Sequence, residues 1–302
     1  MPIGLRAAVI FVCVAVPAWA DGTARFYFSG DGAIRMGHAH RDDTLEVRYR
    51  DTGGNYDAEA LARIARFFRS RTDGLSAPMS LRLIELIDFI EDEYHPKRLI
   101  LVSGYRSPEL NAALRADGRR VAPASLHTEG LAADVQLTGL DLRRLWKQLR
   151  TAKVGGVGLY ERDGFLHVDA GRPRFWEAAT AGIDQNFAKE NGRVFARTDF
   201  DRYADLAGAR VRLHSVTALP IGVRRVARVG DAPLAIAPLD AAIRAEGDCW
   251  LIAEPAERYE FAVATPAAPA ARAPIRLETC APRIGATPEE ILTNPVERLS
   301  GH

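Results

Sequence analysis

The sequence predicts an α+β unit followed by a β-rich extension. Three observations carry that prediction. Helical and strand-like periodicities interleave through the first half, with helices before and between short strands. Two of those strands are interrupted by residues that carry chemistry, Asp134 in one and His167 with Asp169 in the other. Beyond about residue 190 the character changes to short strand-like runs.

The first twenty residues read as an export signal. Arg6 supplies the positive start, Ala7 to Val16 an apolar run of ten, and Ala18-Trp19-Ala20 the small-x-small cleavage pattern. Ten apolar residues are too few to span a bilayer, and no second long apolar run follows. The mature chain is therefore expected in the periplasm without a membrane span. Cys13 lacks the preceding small residues of a lipoprotein site. The domain reading is a signal at 1–20, a catalytic domain at 21–190 and a β-rich region at 191–302.

Residues 24–29 and 44–49 alternate like strands, with Gly30-Asp-Gly32 and Arg41-Asp-Asp43 as turn signals between them. Ala60, Leu61, Ile64, Ala65, Phe67 and Phe68 fit one amphipathic helix. Ser80 is placed to cap a second, with Leu83, Ile84, Leu86, Ile87 and Ile90 on or near its buried face and Pro96 marking its end. Arg98–Ser103 is a β-like run, and Ser107-Pro108 starts a helix with proline in the first turn. Leu131–Leu137 reads as a strand, Asp141–Leu149 as a helix, and Gly164 opens a strand over Phe165–Asp169. Further on, 209–218, 222–229, 248–253 and 258–264 read as short strands, and the Ala/Pro run 265–274 as an extended loop.

The 302 residues are 47% hydrophobic and 26% charged, a globular composition sufficient for one large or two ordinary domains. Loss of Arg6 leaves 39 basic against 39 acidic residues. That balance argues against nucleic acid as the main partner. The mature chain keeps two cysteines, Cys249 and Cys280, and an even pair in an exported protein suggests a disulfide worth about 3–4 kcal/mol on the chain-entropy model.

His127, Asp134 and His167 are the candidate metal ligands. Two imidazoles and a carboxylate are a usual set for a catalytic zinc and leave a fourth position for water. Gly130 lets the chain bend between His127 and Asp134, and Ala132 and Ala133 leave space beside a metal. A carboxylate inside an apolar strand is costly unless something compensates its charge. His167 and Asp169 stand at i and i+2 of a strand and so face one site. Asp169 either accepts the water proton as general base or orients a ligand. Arg106, just after a short strand, is placed to bind a peptide carboxylate or to stabilise an oxyanion. His38 and His40, at i and i+2, are a second pair readable as ligands, but no carboxylate motif accompanies them and they better fit a strand-end structural role; His95 and His214 have no chemical context.

Four ordered motifs carry a resemblance: Ser103-Gly-Tyr-Arg-Ser-Pro108, Ser125-x-His-x-x-Gly-x-Ala-x-Asp134, Gly155-Gly-Val-Gly158 and Phe165-x-His-Val-Asp169. Together they resemble the M15-type zinc peptidases, and within them the murein endopeptidase K-like group. The resemblance runs from about Ala33 to Trp176 and does not cover 195–302. It implies the hedgehog/D-Ala-D-Ala peptidase fold, one Zn2+ per chain on His127, Asp134 and His167, Arg106 as the substrate arginine, and peptidoglycan peptide stems as substrate. Dipeptidases and carboxypeptidases of this type carry a glutamate three residues before the second histidine, where this chain has Gly164. Asp169 then becomes the candidate base. The expected activity is cleavage of peptide cross-links. A carboxypeptidase of the same fold, or a cell-wall-binding protein with structural zinc, is the alternative.

Overall fold

The computed structural model describes residues 24–117, 125–178, 194–214, 219–254, 259–267, 271–280 and 290–298. The segment read as an export signal lies outside them. The described residues build two sheets, each with its own core.

Strand β1 (Ala24–Arg25) belongs to the second sheet, where it pairs antiparallel with Arg202–Tyr203. The first sheet holds β2 (Ala33–His38), β3 (Arg41–Arg48), β4 (Arg98–Ser103), β5 (Ala132–Thr138), β6 (Gly156–Tyr160), β7 (Phe165–Asp169) and β8 (Arg174–Glu177). Its order is β3-β2-β4-β5-β7-β6-β8. The pairs β2–β4 and β6–β8 are parallel and the others antiparallel. Two sequence expectations change here. Residues 33–38 form a strand that the turn signals concealed, and Arg41–Asp43 opens β3 instead of making the turn, which falls at Ala39-His40.

Four helices accompany this sheet among the described residues: α1 (Ala58–Phe67), α2 (Leu81–Tyr94), α3 (Pro108–Ala116) and α4 (Leu142–Ala152). Asp57 caps α1 by accepting the Glu59 and Ala60 N–H groups, and Asp141 caps α4 through Arg144. Ser107 Oγ accepts the Leu110 N–H at the start of α3. Ser80 precedes α2, but its side chain makes no cap bond. Its N–H instead donates to the Gly130 carbonyl at 2.9 Å, tying the start of α2 to the turn that carries His127. Leu83, Ile84, Leu86, Ile87 and Ile90 of α2 and Leu145, Trp146 and Leu149 of α4 share the core with Leu99, Leu101, Val135, Val157, Leu166 and Val168 of the sheet.

The second half is β-rich, as its sequence predicts. Residues 222–229 split into Ile221–Arg224 and Val226–Val229, and the Ala/Pro run ends inside the strand Ala273–Cys280. The strands Phe195–Thr198, Ala232–Pro238, Ile243–Glu246 and Glu290–Arg298 escaped the sequence reading. Cys249 and Cys280 are bonded and clamp the two strands that flank Ile221–Arg224.

The halves are joined by buried charge and by shared apolar surface. Arg82 donates to Asp201 Oδ1 at 2.5 Å and to the Thr198 carbonyl at 3.1 Å. Its guanidinium lies 4.9 Å from the centre of the Phe26 ring, and Phe26 is part of the second core.

Candidate metal centre

The candidate site is one cross-strand row of the first sheet. Register pairs Ser103 with Asp134, Asp134 with His167, His167 with Gly158, and Gly158 with Trp176. Alternate strand residues share a face. The neighbouring row on this face is therefore Ala132, Asp169, Gly156 and Arg174. Ala133, Val135, Val157 and Val168 point the other way, into the core. An irregularity between Leu101 and Ser103 brings Ser103, in place of Val102, opposite Asp134.

His127 comes from outside the sheet, on the short 3-10 turn Leu126–Glu129. Its Nδ1–H donates to the Gly104 carbonyl at 2.7 Å, which leaves the Nε2 lone pair facing the sheet. Only glycine suits position 104, because a Cβ there would lie 2.6 Å from the Phe68 carbonyl oxygen. His167 has the opposite arrangement. Its Nε2–H donates to Asp169 Oδ2 at 2.9 Å and its Nδ1 faces Asp134.

Three donor atoms converge. His127 Nε2 lies 3.4 Å from Asp134 Oδ1 and 3.3 Å from His167 Nδ1, and the latter two are 3.0 Å apart. Ligands on a tetrahedral zinc at about 2.0–2.1 Å are separated by about 3.3 Å. Donor types and spacing therefore fit zinc.

Electrostatics prepares these groups. Burial, helped by the Arg106 charge, pushes His127 down to about 4, so its imidazole is neutral at working pH. Burial works to raise Asp134, but the two imidazoles packed against it and the Arg106 guanidinium beside it hold it well below the usual carboxylate range. Arg106 donates from Nη2 to Asp134 Oδ2 at 2.5 Å and from Nε to Ser103 Oγ at 2.9 Å. It therefore stands beside the ligand carboxylate, on the side away from the histidines.

Asp169 is fully buried behind His167. Its Oδ2 accepts from His167 Nε2 and from Arg174 Nη2 at 2.8 Å, and its Oδ1 accepts the Gly156 and Gly171 N–H groups at 3.1 and 2.7 Å. Burial opposes ionisation, yet the Arg174 charge and the His167 bond hold the carboxyl well below its ordinary value. Four donors occupy two oxygens, which is the environment of a carboxylate that orients a histidine.

His127, Asp134 and His167 are thus brought together, with Arg106 and Asp169 each one contact away. His38 and His40 lie outside this group, and His38 Nδ1 accepts the His40 N–H at 3.0 Å at the end of β2. Gly164 takes φ 71 in the β6–β7 connection, a conformation that strains a glutamate. Sequence reasoning gave no role to Tyr160, Arg174 or Trp176. The signal was the glycine pair 156 and 158, which clears a lane on the strand face that Tyr160 shares. His214, without context in the sequence, has Nδ1 3.1 Å from Glu129 Oε2, at the end of the His127 turn.

The class that the four sequence motifs suggest, a peptidase of the M15 type, is what the comparison with known proteins returns. Residues 30–176 match the family model described as peptidoglycan L,D-endopeptidase MepK, and the chain belongs to that family. The peptidoglycan L,D-endopeptidase MepK of Escherichia coli (strain K12) is 31% identical over 144 residues, which cover 47% of this chain and 79% of that protein. The protein of the same name from Shigella flexneri gives the same figures. The probable peptidoglycan L,D-endopeptidase MepK of Haemophilus influenzae is 38% identical over 77 residues, 26% of this chain and 41% of that protein. No solved structure matches. Residues 177–302 lie outside the family match.

Proposed function

We propose that this chain is a zinc-dependent peptidoglycan endopeptidase of the periplasm that hydrolyses peptide cross-links between stems. The observation that carries the proposal is the triangle of His127 Nε2, Asp134 Oδ1 and His167 Nδ1, with edges of 3.0–3.4 Å. Zinc bound there supplies a Lewis acid that polarises a carbonyl and acidifies water. The residues of the chain do the rest. Gly104 and Asp169 fix opposite tautomers of the two imidazoles, so that each turns a lone pair to the centre. Arg106 pins the outer oxygen of Asp134, and its remaining N–H groups are the ones available to a substrate oxygen. Asp169, saturated by four donors, keeps His167 in place. The periplasmic assignment rests on the sequence pattern of residues 1–20.

The test is digestion of purified cross-linked murein by the metal-loaded chain, with released muropeptides identified by mass. Loss of cross-linked dimers with gain of monomers is the expected result, abolished by chelation. Murein binding without cleavage supports the alternative of a wall-binding protein. Release of terminal amino acids alone supports a carboxypeptidase.

A further inference from the structure

One neutral donor on this face has no role in the scheme above. Tyr160 ends β6 and lies on the same strand face as Gly156 and Gly158. Its ring stacks on Phe165, with centroids 4.6 Å apart and planes 12° apart. Its hydroxyl oxygen accepts the Trp176 indole N–H at 3.2 Å. Among the described residues no hydrogen bond donated by the Tyr160 hydroxyl is present. The oxygen is anchored and the proton is unspent.

Trp176 connects this hydroxyl to the metal centre. Its indole covers Gly158, where a Cβ would lie 2.5–2.6 Å from ring atoms, so glycine makes room for it. The ring centroid is 5.1 Å from that of His167. Arg174, which holds Asp169, sits over the indole with its guanidinium carbon 5.4 Å from the centroid. The charges of Asp134 and Arg106 both reach the Tyr160 hydroxyl, and burial leads the effects that raise it above its usual value. It therefore carries its proton at any working pH.

Amide hydrolysis builds negative charge on the scissile carbonyl oxygen. A preorganised neutral donor is most useful at that atom, because it stabilises charge that appears only in the transition state. Asp169 cannot serve, since its oxygens only accept, and Arg106 spends its Nε and an Nη2 N–H on Ser103 and Asp134, so the scissile oxygen has room for a second, neutral donor beside whatever N–H groups of Arg106 reach it. Resting on the peptidase reading above, we infer that Tyr160 is a catalytic residue whose hydroxyl, anchored by Trp176, donates a hydrogen bond to the scissile carbonyl oxygen of the stem peptide. Trp176 is its positioning residue. No covalent step is involved, and the tyrosine keeps its proton throughout.

The experiment compares wild type, Tyr160→Phe and Trp176→Phe as full-length, zinc-loaded chains. Each is assayed on soluble cross-linked muropeptide dimers and for binding a dimer with a phosphinate in place of the scissile amide. Phenylalanine at 160 keeps the stack on Phe165 and removes only the hydroxyl. The expected result is a kcat lower by about 10²–10³-fold, the range for loss of one oxyanion donor. KM should stay within about threefold, because uniform binding is untouched. Phosphinate affinity should fall with kcat, while zinc content is unchanged. Trp176→Phe should give a smaller fall of the same pattern, since the tyrosine remains but loses its anchor. Tyr160→Phe with kcat within about threefold of wild type, or a loss confined to KM with unchanged phosphinate affinity, overturns the inference. Should Tyr160→Phe fail to fold, unchanged kcat and phosphinate affinity in Trp176→Phe overturn it. Should wild type cleave no muropeptide, the peptidase reading fails separately. Equal phosphinate binding by wild type and Tyr160→Phe then decides against the tyrosine as well.

Discussion

Replacing Asp169 by asparagine separates an orienting carboxylate from a proton acceptor. The carboxylate receives four hydrogen bonds, from His167 Nε2, Arg174 Nη2, and the backbone of Gly156 and Gly171, at 2.7–3.1 Å. Asparagine has one acceptor oxygen, so whichever way the amide turns, its NH2 meets two donors. Hydrogen bonds to a charged group contribute about 1.5–3 kcal/mol each. The two most exposed to the change are those that aim His167 and hold Arg174. Loss of a partner behind a ligating histidine typically costs 10–100-fold in metal affinity or activity. The expected outcome is zinc affinity weakened by about 10–100-fold, with much of the turnover restored when free zinc is raised to saturation. Chelator-competition titration gives the affinity, and muropeptide hydrolysis at a series of buffered free zinc concentrations gives the restoration. A general base behaves differently. Its removal leaves zinc affinity alone and lowers saturated turnover by about 10²–10⁴-fold. That second pattern refutes the orienting role derived from the geometry and returns Asp169 to the proton.

Alanine at His127, Asp134 or His167 should each remove most of the single zinc, read by metal analysis after dialysis, because no fourth protein donor joins the group among the described residues. Full retention in any one removes that residue from the ligand set. Asp88, buried on α2, is raised to about 7 by burial, against hydrogen bonds from Tyr49 and the Gly32 N–H. Its folded value lies above its unfolded one, so its contribution to stability is full below about pH 4 and is lost as pH rises through about 7. Asp88→Asn should flatten that fall and raise the melting temperature at pH 8; an unchanged pH profile counts against the assignment. Ending the chain near residue 190 removes the partner of β1 and leaves Phe26 and Arg82 without Asp201 and the second core. Breaking a buried pair such as Arg82–Asp201 costs about 3–5 kcal/mol, so the truncated chain should melt well below the full chain, and equal melting temperatures would mean the halves are independent.

Much of the candidate site was legible because its three donor residues sit in short runs where the sequence breaks its own pattern. Asp134 interrupts an apolar strand, and His167 with Asp169 take alternate positions in another. Strand period alone put the latter pair on one face. It did not reveal that Asp169 has its back to the centre, because that depends on the Gly171 N–H and Arg174, brought round by the β7–β8 connection, and on the Gly156 N–H at the start of β6. Nor did it reveal the row from Ser103 to Trp176. Such a row exists only after four pairings are set, one of them shifted by a residue and one of them parallel.

The second half was legible as β-rich and little more, since short strands take their register from partners far along the chain. The same distance hid its attachment to the first half. Arg82 and Asp201 are 119 residues apart, and Glu129 and His214 are 85. Both contacts land on the support of His127: Arg82 on the first turn of α2, which is tied to Gly130, and Glu129 on the turn itself. A ligand from a four-residue turn has little stiffness of its own. His127 is held by Gly104 on one side and, two residues on, by the β-rich half on the other. The extension that lies outside the family match is therefore part of the frame that fixes one of the three donors.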